Sequence, residues 1–125
     1  LLVDDDTDLL EQHKMLMEMK GVEVITAETA KEGFEKFEES KPDAVIVDLI
    51  MEHNDSGFIL CHKIKNTLLG KRIPVYILTS SAYETGYKFS VTTEEEREWI
   101  KSDGILYKPI VVEEVIKKLN SFYLK

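Results

Sequence analysis

Short runs of apolar residues alternate along the chain with longer stretches in which apolar positions recur every three or four residues. The short runs are typical of buried strands, and the longer stretches are typical of helices that cover one face of a sheet. The runs occupy residues 1–3, 22–26, 44–47, 75–78 and 105–107. Because an amphipathic segment follows each run, the pattern predicts five βα units around a parallel sheet.

Capping residues mark where several of the predicted helices begin. Asp6 and Thr7 are both candidates to cap a first helix that is expected to run to about residue 19 and to carry an inward stripe. Residues 29–32 and 93–96 both have the Thr-x-x-Glu pattern of a capping box, and the second precedes a helix around Trp99. The inward positions of the first three helices are predicted to be Leu9, Leu10, His13, Leu16 and Met17, then Ala30, Phe34 and Phe37, then Phe58, Cys61, Ile64 and Leu68.

The third apolar run is uninterrupted, which is typical of a central strand that is buried on both faces. No internal repeat or low-complexity segment breaks the alternation of strands and helices. The length of 125 residues is that of one domain. We therefore predict a single doubly wound α/β domain over residues 1–125. The chain opens at Leu1, already within an apolar run, so we expect the first strand to lack its first residues in this numbering.

Composition narrows the possible functions. The formal net charge is −8, which argues against a nucleic-acid surface on this domain because phosphate binding needs a concentrated basic patch. Cys61 is the single cysteine, which excludes an intramolecular disulfide and fits a reducing cytoplasm. No apolar stretch is long enough to cross a bilayer, and no signal peptide is visible. We expect a cytoplasmic domain without membrane contact.

Polar side chains follow four of the five predicted strands at the point where each strand ends. The first strand ends in residues 4–6, all aspartates, the third in Asp48, the fourth in Thr79 and the fifth in Lys108. The carboxyl ends of parallel strands meet at one edge of the sheet, where ligands bind in this class of fold. We therefore expect these groups to form one site.

Three neighbouring carboxylates repel each other unless a cation lies among them, and an all-oxygen donor set favours a hard ion such as Mg²⁺. A central aspartate is already ionised and can attack phosphorus to give an aspartyl phosphate. A bound metal and a lysine can both offset the negative charge of an incoming phosphoryl group. The chemistry predicted for this edge is phosphoryl transfer to a carboxylate.

Four short motifs at these strand ends resemble those of response-regulator receiver domains, in the same order along the chain. They are Val3-Asp4-Asp5, Val47-Asp48, Leu78-Thr79-Ser80 and Tyr107-Lys108-Pro109. Any one of them is weak, but the four together on this βα pattern are specific, and the resemblance covers essentially the whole chain. It implies a flavodoxin-like (βα)5 fold whose five-stranded parallel sheet has the strand order 2-1-3-4-5.

The resemblance also implies a role for each group at the site. Asp48 is the expected phosphoacceptor, and Asp5 and Asp48 are expected to bind Mg²⁺ directly. Asp4 is expected to act through water, with the backbone carbonyl of Ile50 completing the protein's ligands. Thr79 and Lys108 are then expected to hold the phosphoryl oxygens.

A conformational switch and its partners follow from the same resemblance. The switch residues are expected to be Thr79, Ile105 and Tyr107, and the peptide bond between Lys108 and Pro109 is expected to be cis. The donor is expected to be a sensor histidine kinase, and the output an attached domain or a downstream protein. The domain is not expected to be an enzyme beyond phosphorylating itself from small donors and losing the group again. The resemblance leaves a homodimer through the face of the last two helices open.

The sequence departs from the family pattern in three places. The loop after the phosphoacceptor is about one residue longer than is usual in the family. The proline that usually follows the methionine of this loop is absent after Met51. The stretch between Thr79 and Lys108 is several residues longer than usual, with the extra length at residues 83–92. Ile105 stands where the family has an aromatic switch residue, so Tyr107 on the same strand face is expected to substitute.

Three other interpretations compete. Asp4, Asp6 and Asp8 alternate as in an EF-hand, but Leu9 and Met15 stand where that loop needs Gly and Glu. The same run resembles the Asp-x-Asp-x-Thr/Val motif of haloacid-dehalogenase phosphatases. However, Asp8 stands where that motif has Thr or Val, and the chain is too short for their cap domain. The stronger alternative is a receiver-like module that binds partners without being phosphorylated.

Overall fold

The computed structural model describes residues 1–49, 56–80, 104–108 and 110–123. The described strands form one parallel sheet in the order β2-β1-β3-β4-β5. They are β1 (Leu2–Val3), β2 (Thr26–Ala27), β3 (Val45–Asp48), β4 (Val75–Ser80) and β5 (Gly104–Lys108). The predicted fold class and strand order are confirmed.

Four α-helices lie in the described part of the chain. They are α1 (Thr7–Glu18), α2 (Ala30–Ser40), α3 (Ser56–Lys65) and a closing helix (Val112–Tyr123), with a short 3-10 turn at Gly70–Arg72. The helix predicted around Trp99 and the long loop over residues 80–92 fall, but for the backbone of Ser80, outside the described residues.

The second strand is shorter and later than predicted. β2 covers Thr26–Ala27 rather than residues 22–26, because β1 offers only Leu2 and Val3 as ladder partners. Val22 and Val24 precede the ladder and pack instead against the apolar cluster on one face of the sheet. The prediction was therefore right about the presence of the strand and wrong about its bounds.

The first helix begins at one of the two caps predicted for it. The side chain of Asp6, and not that of Thr7, accepts a hydrogen bond from the backbone N–H of Leu9 at 3.1 Å. Thr7 is already helical, so its hydroxyl cannot occupy the cap position. The predicted inward stripe is confirmed at Leu10, His13 and Met17. Leu16 lies at its flank with 39% of its surface exposed, so its assignment to the core was wrong.

The capping box of the second helix forms largely as predicted. Thr29 Oγ1 accepts from the N–H of Glu32 at 3.0 Å, while Glu32 Oε1 accepts from the N–H of Glu28 at 2.8 Å. The helix ends with Lys41 in the left-handed conformation, at a φ of 47°. Phe37 is buried as predicted, and Phe34 is half-buried beneath the ammonium of Lys63, 4.6 Å from its ring centre.

The third helix ends earlier than its apolar pattern indicates. Thr67 Oγ1 donates to the carbonyl of Ile64 at 2.7 Å and accepts from the N–H of Gly70 at 2.8 Å, which turns the chain. Leu68 therefore lies beyond the helix and is 82% exposed, so its predicted place in the core was wrong. Cys61 and Ile64 are buried as expected.

The sheet carries an apolar cluster on each face. Strand side chains alternate between the faces, so Val45 and Val47 point to one and Ile46 to the other. The first cluster includes Phe37, Leu60 and Ile64 from α2 and α3, and the second includes Leu10, Met17 and Val115 from α1 and the closing helix. The central strand is thus buried on both faces, as its apolar run predicts, and its end is held firmly in place.

The start of α3 packs against the end of β3 without room for a side chain. A Cβ on Gly57 would lie 2.2 Å from the carbonyl oxygen of Asp48 and 2.5 Å from that of Leu49. Since these are backbone atoms, Gly57→Ala is expected to destabilise the fold by about 1–3 kcal/mol, measured by urea unfolding.

Gly33→Ala in α2 is the matched control for this substitution. The three atoms nearest to its Cβ would be side-chain methyl groups of Leu60 and Val3, at 3.0–3.1 Å, which can shift slightly. A helical alanine also gains about 1 kcal/mol over glycine. Gly33→Ala is therefore expected to be close to neutral, and a Gly57→Ala variant as stable as Gly33→Ala would contradict the close approach.

Candidate functional site

The register of the sheet brings the predicted site residues to one edge. Val3 pairs with Val47, so Asp4 and Asp48 follow side by side at the ends of neighbouring strands. Asp48 itself pairs with Leu78, which places Thr79 one residue further along β4. Asp4, Asp48 and Thr79 are all buried. Each lies at the end of a strand whose preceding side chains belong to the core.

Lys108 reaches the two buried aspartates from the end of β5. Its ammonium nitrogen lies 3.0 Å from Asp48 Oδ1 and 3.3 Å from Asp4 Oδ2. The lysine side chain retains 20% of its exposure, against 6% for the side chain of Asp48. One cation thus bridges two carboxylates at a largely water-excluded edge, where charge pairs interact more strongly than on the surface.

Three aspartates converge closely enough to share a cation. Asp4, Asp5 and Asp48 each offer a carboxylate oxygen, and these atoms lie within 4.8 Å of one another. Asp4 Oδ1 accepts a hydrogen bond from the N–H of Asp6 at 3.0 Å. Asp4 Oδ2 is buried and forms the ion pair with Lys108, but this contact does not have the geometry of a hydrogen bond, and no other partner lies among the described residues. An all-oxygen donor set with spare acceptor capacity suits a hard divalent ion.

The same crowding perturbs the ionisation of the site. Burial, and then the charge of Asp4, raise the pKa of Asp48 from 3.8 to about 7, even though the hydrogen bond from Lys108 opposes this. Burial lowers the pKa of Lys108, but the hydrogen bond to Asp48 and the charges of both aspartates outweigh it, so the net change is upward. A second cation would relieve the repulsion between the carboxylates.

Thr79 completes the buried part of the edge. Its side chain is 5% exposed, and its hydroxyl has no hydrogen-bond partner among the described residues. A buried hydroxyl without a partner is uncommon, because hydroxyl burial costs free energy when no bond replaces water. This group is therefore available to a ligand bound next to Asp48.

The structure brings together most of the site predicted from sequence. Asp4, Asp5, Asp48 and Lys108 meet at one edge, and Asp6 is a helix cap. The predicted carbonyl ligand of Ile50 and the predicted cis bond at Pro109 lie outside the described residues.

The predicted switch positions are only partly described. Ile105 is half-buried and packs against the cluster that holds α2 and α3. Tyr107 pairs through its backbone with Thr79, and nothing is described of its side chain.

Sequence reasoning took His13 as an ordinary helix residue, and the structure gives it a specific partner. Its Nε2 accepts a hydrogen bond from the N–H of Ile110, two residues after Lys108. The only signal in the sequence was an imidazole at a position in the apolar stripe of α1, which does not identify a partner 97 residues away.

A doubly wound parallel sheet with an acidic cluster and a lysine at its carboxyl edge defines the receiver class of signalling domain. The family model of the response regulator receiver domain matches residues 1–120. The chain belongs to this family, whose members act as phosphoacceptors in two-component systems rather than as ordinary enzymes.

Two curated relatives show how much of a protein such a chain represents. The response regulator MprA of Mycolicibacterium vanbaalenii is 26% identical over 121 residues, which are 97% of this chain and 48% of that protein. Protein PilH of Pseudomonas aeruginosa is 27% identical over 124 residues, covering 97% of this chain and 93% of that protein. The chain spans about half the length of MprA and nearly all of PilH.

Solved structures share the fold across nearly the whole chain. A response regulator receiver domain protein from Clostridium thermocellum superposes with a TM-score of 0.74 at 26% identity, covering 97% of this chain and 90% of that one. The chemotaxis protein CheY4 of Vibrio cholerae gives 0.78 at 23% identity, with 97% and 94% covered.

No helix in the described part of the chain has the length and apolar character needed to span a bilayer.

The raised pKa of Asp48 predicts a measurable dependence of stability on pH. Between pH 3.8 and about 7 the folded protein holds a proton on Asp48 that the unfolded chain has released. The contribution of this group to the free energy of unfolding is therefore full below pH 3.8 and is lost as pH rises through about 7.

Asp48→Asn removes this titration and provides the measurement. In metal-free buffer, its stability relative to the unsubstituted protein is expected to increase from pH 4 to pH 8 by on the order of a few kcal/mol at most. Urea unfolding across this range measures the difference. Millimolar MgCl₂ should reduce the difference at high pH, because a cation competes with the proton. A difference that does not change with pH in metal-free buffer would contradict the raised pKa.

Proposed function

We propose that this domain receives a phosphoryl group on Asp48 and passes the change to an output through Thr79 and Lys108. The observation that carries the proposal is the Lys108 ammonium, 3.0 Å from Asp48 and 3.3 Å from Asp4 at the edge of the sheet. A lysine held between carboxylates is positioned to pair with an oxygen of a phosphoryl group attached to one of them.

Asp48 is the best nucleophile of the three aspartates. It closes the central strand, so its carboxylate is held by the core on both faces of the sheet. Asp5 is exposed, and one oxygen of Asp4 is engaged by the N–H of Asp6. In the transfer, the bond between phosphorus and the donor breaks as a bond from phosphorus to a carboxylate oxygen of Asp48 forms.

Mg²⁺ is the proposed cofactor. Asp5 and Asp48 would hold it directly and Asp4 through water, with the carbonyl of Ile50 as a further ligand. Three carboxylate oxygens converge within 4.8 Å, and this group contains no nitrogen or sulfur donor among the residues that the structure describes, which supports a hard ion. When bound, the ion offsets negative charge on the phosphoryl oxygens.

The proposed readout begins with the hydroxyl of Thr79. A phosphoryl group on Asp48 adds nearly two negative charges and three strong acceptors beside a buried hydroxyl with spare bonding capacity. Thr79 would donate to one oxygen and Lys108 to another, drawing the ends of β4 and β5 towards Asp48. Ile105 and Tyr107 on β5 would follow this shift, which partners then read as a change in population.

The partners follow from membership of the family. A receiver domain implies a histidine kinase as donor and an output domain or protein as target. We propose that residues 1–125 form one receiver unit in the cytoplasm. In MprA, the matching part is about half of the protein. This share is consistent with an output region in the remainder of a longer chain. The acidic surface makes nucleic-acid binding by this unit itself unfavourable.

Phosphorylation from a small donor tests the proposal directly. Incubation with Mg²⁺ and acetyl phosphate is expected to add one phosphoryl group, about 80 Da by intact mass. Asp48→Asn should abolish the adduct because its amide is not a nucleophile at phosphorus. Asp5→Asn should slow its formation and raise the Mg²⁺ concentration that is needed, because it removes a ligand charge.

Asp43→Asn, at the opposite end of β3, is the matched control and should leave the adduct unchanged. Absence of an adduct on the unsubstituted protein would favour a module that binds partners without phosphorylation. An undiminished adduct on Asp48→Asn would move the acceptor elsewhere. Continuous release of phosphate at a high rate would instead indicate a phosphatase.

The unpaired hydroxyl of Thr79 yields a second prediction. Thr79→Val keeps the shape of the side chain and removes a group that makes no hydrogen bond within the described residues. The Tm of the metal-free variant is expected to equal or exceed that of the unsubstituted protein. The rise in Tm on adding Mg²⁺ and beryllofluoride, a phosphoryl analogue, should be smaller, because a bond to the analogue is lost. A lower Tm with an unchanged rise would contradict this role.

A further inference from the structure

His13 is a buried imidazole that none of the proposed chemistry uses. It lies on the inward stripe of α1 between Leu10 and Met17, with 2% of its surface exposed. An imidazole in such surroundings needs a hydrogen-bond partner, because burial of a polar ring without one is unfavourable. The partner is far away in sequence and close to the site.

Nε2 of His13 accepts a hydrogen bond from the backbone N–H of Ile110 at 3.1 Å, and the bond is buried. An imidazole nitrogen that accepts from an N–H carries no proton of its own, so the ring is neutral with its proton on Nδ1. Burial lowers the pKa of His13, which acts in the same direction as this geometry.

This hydrogen bond lies just beyond the end of the pairing between β4 and β5. The described ladder between β4 and β5 ends with the pairing of Ser80 and Lys108. Ile110 follows two residues later, with its side chain buried, and the closing helix starts at Val112. Within the described residues, the bond from the Ile110 N–H to His13 joins the backbone after β5 to α1, and the side chain of Ile110 packs in the same apolar cluster as Leu10 and Met17.

The hydrogen bond between His13 and Ile110 lies two residues beyond Lys108, the lysine that reaches the site. Lys108 projects from the same short segment towards Asp48 at 3.0 Å and Asp4 at 3.3 Å. If the backbone of this segment moved away from α1, the Cα of Lys108 would move with it. The His13 ring is also close enough to Asp4 and Lys108 for their charges to act on it.

We infer that His13 is a positioning residue, which holds the segment after β5 against α1 and so places the Lys108 ammonium for phosphoryl binding. The inference rests on the proposed function. The hydrogen bond can be supplied by any neutral acceptor of suitable reach, so it depends on the acceptor atom rather than on a titrating imidazole. This separates the role from that of a general base or a metal ligand.

Two substitutions at position 13 separate the acceptor from the bulk of the ring. His13→Gln keeps an acceptor at similar reach, whereas His13→Leu fills the apolar stripe and leaves the Ile110 N–H without a partner. Amide hydrogen exchange is expected to stay slow at Ile110 in the Gln variant and to become several-fold faster in the Leu variant. Equal protection of Ile110 in all three proteins would overturn the anchoring contact itself.

The functional readouts are the initial rate of acetyl phosphate uptake at saturating Mg²⁺ and the Kd of Mg²⁺. We expect His13→Leu to lower the rate by about tenfold, as displacement of a positioning group can. Its Mg²⁺ affinity should be unchanged or tighter, because the three aspartates remain and a competing ammonium has moved. His13→Gln should recover most of the rate.

A general loss of structure would weaken uptake and Mg²⁺ binding together, and that parallel loss would contradict positioning through Lys108. An uptake rate for His13→Leu equal to that of the unsubstituted protein would also contradict it. The same holds if the Gln variant is as slow as the Leu variant while both variants unfold cooperatively in urea. If the unsubstituted protein takes up no phosphoryl group, the proposed function fails first. The exchange at Ile110 then still shows whether the contact exists.

Discussion

The site depends on keeping two like charges close together at a buried edge of the sheet. Asp4 and Asp48 end neighbouring strands, and burial together with the charge of Asp4 raises the pKa of Asp48 to about 7. Lys108 bridges both carboxylates and offsets only part of this repulsion. Such a site is unfavourable when left alone and becomes favourable when a cation enters it. The proposed affinity for a metal and the proposed reactivity towards a phosphoryl group would therefore have the same physical origin.

The rest of the fold serves to hold this edge in place. Apolar clusters on both faces of the sheet fix the central strand. The burial of these apolar side chains offsets the free-energy cost of holding the carboxylates close together. Gly57 lets α3 approach the backbone directly after Asp48, and His13 ties the segment after Lys108 to α1. Thr79 lies at the same edge, and its hydroxyl has no hydrogen-bond partner among the described residues. A ligand that bonds this hydroxyl and Lys108 together would pull on two strands at once.

The sequence predicts the presence of the strands and the residues that end them because both depend on short-range patterns, whereas the strand order was implied only by the resemblance to the receiver family. A buried run followed by a polar residue marks a strand end wherever it occurs, and this was enough to bring Asp48 and Lys108 to one edge. It could not choose between Asp6 and Thr7 as a cap, since both residue types suit that position. It also could not assign a partner to His13, because that contact depends on how α1 docks against the chain after β5.

Direct identification of the phosphorylated residue tests the account most sharply. After uptake from acetyl phosphate in Mg²⁺, borohydride reduction converts an aspartyl phosphate into homoserine, which peptide mass mapping locates. The account predicts homoserine at position 48 and unchanged aspartates at positions 4 and 5. Homoserine at Asp4 or Asp5, or a phosphoryl group on a side chain outside the cluster, would contradict it.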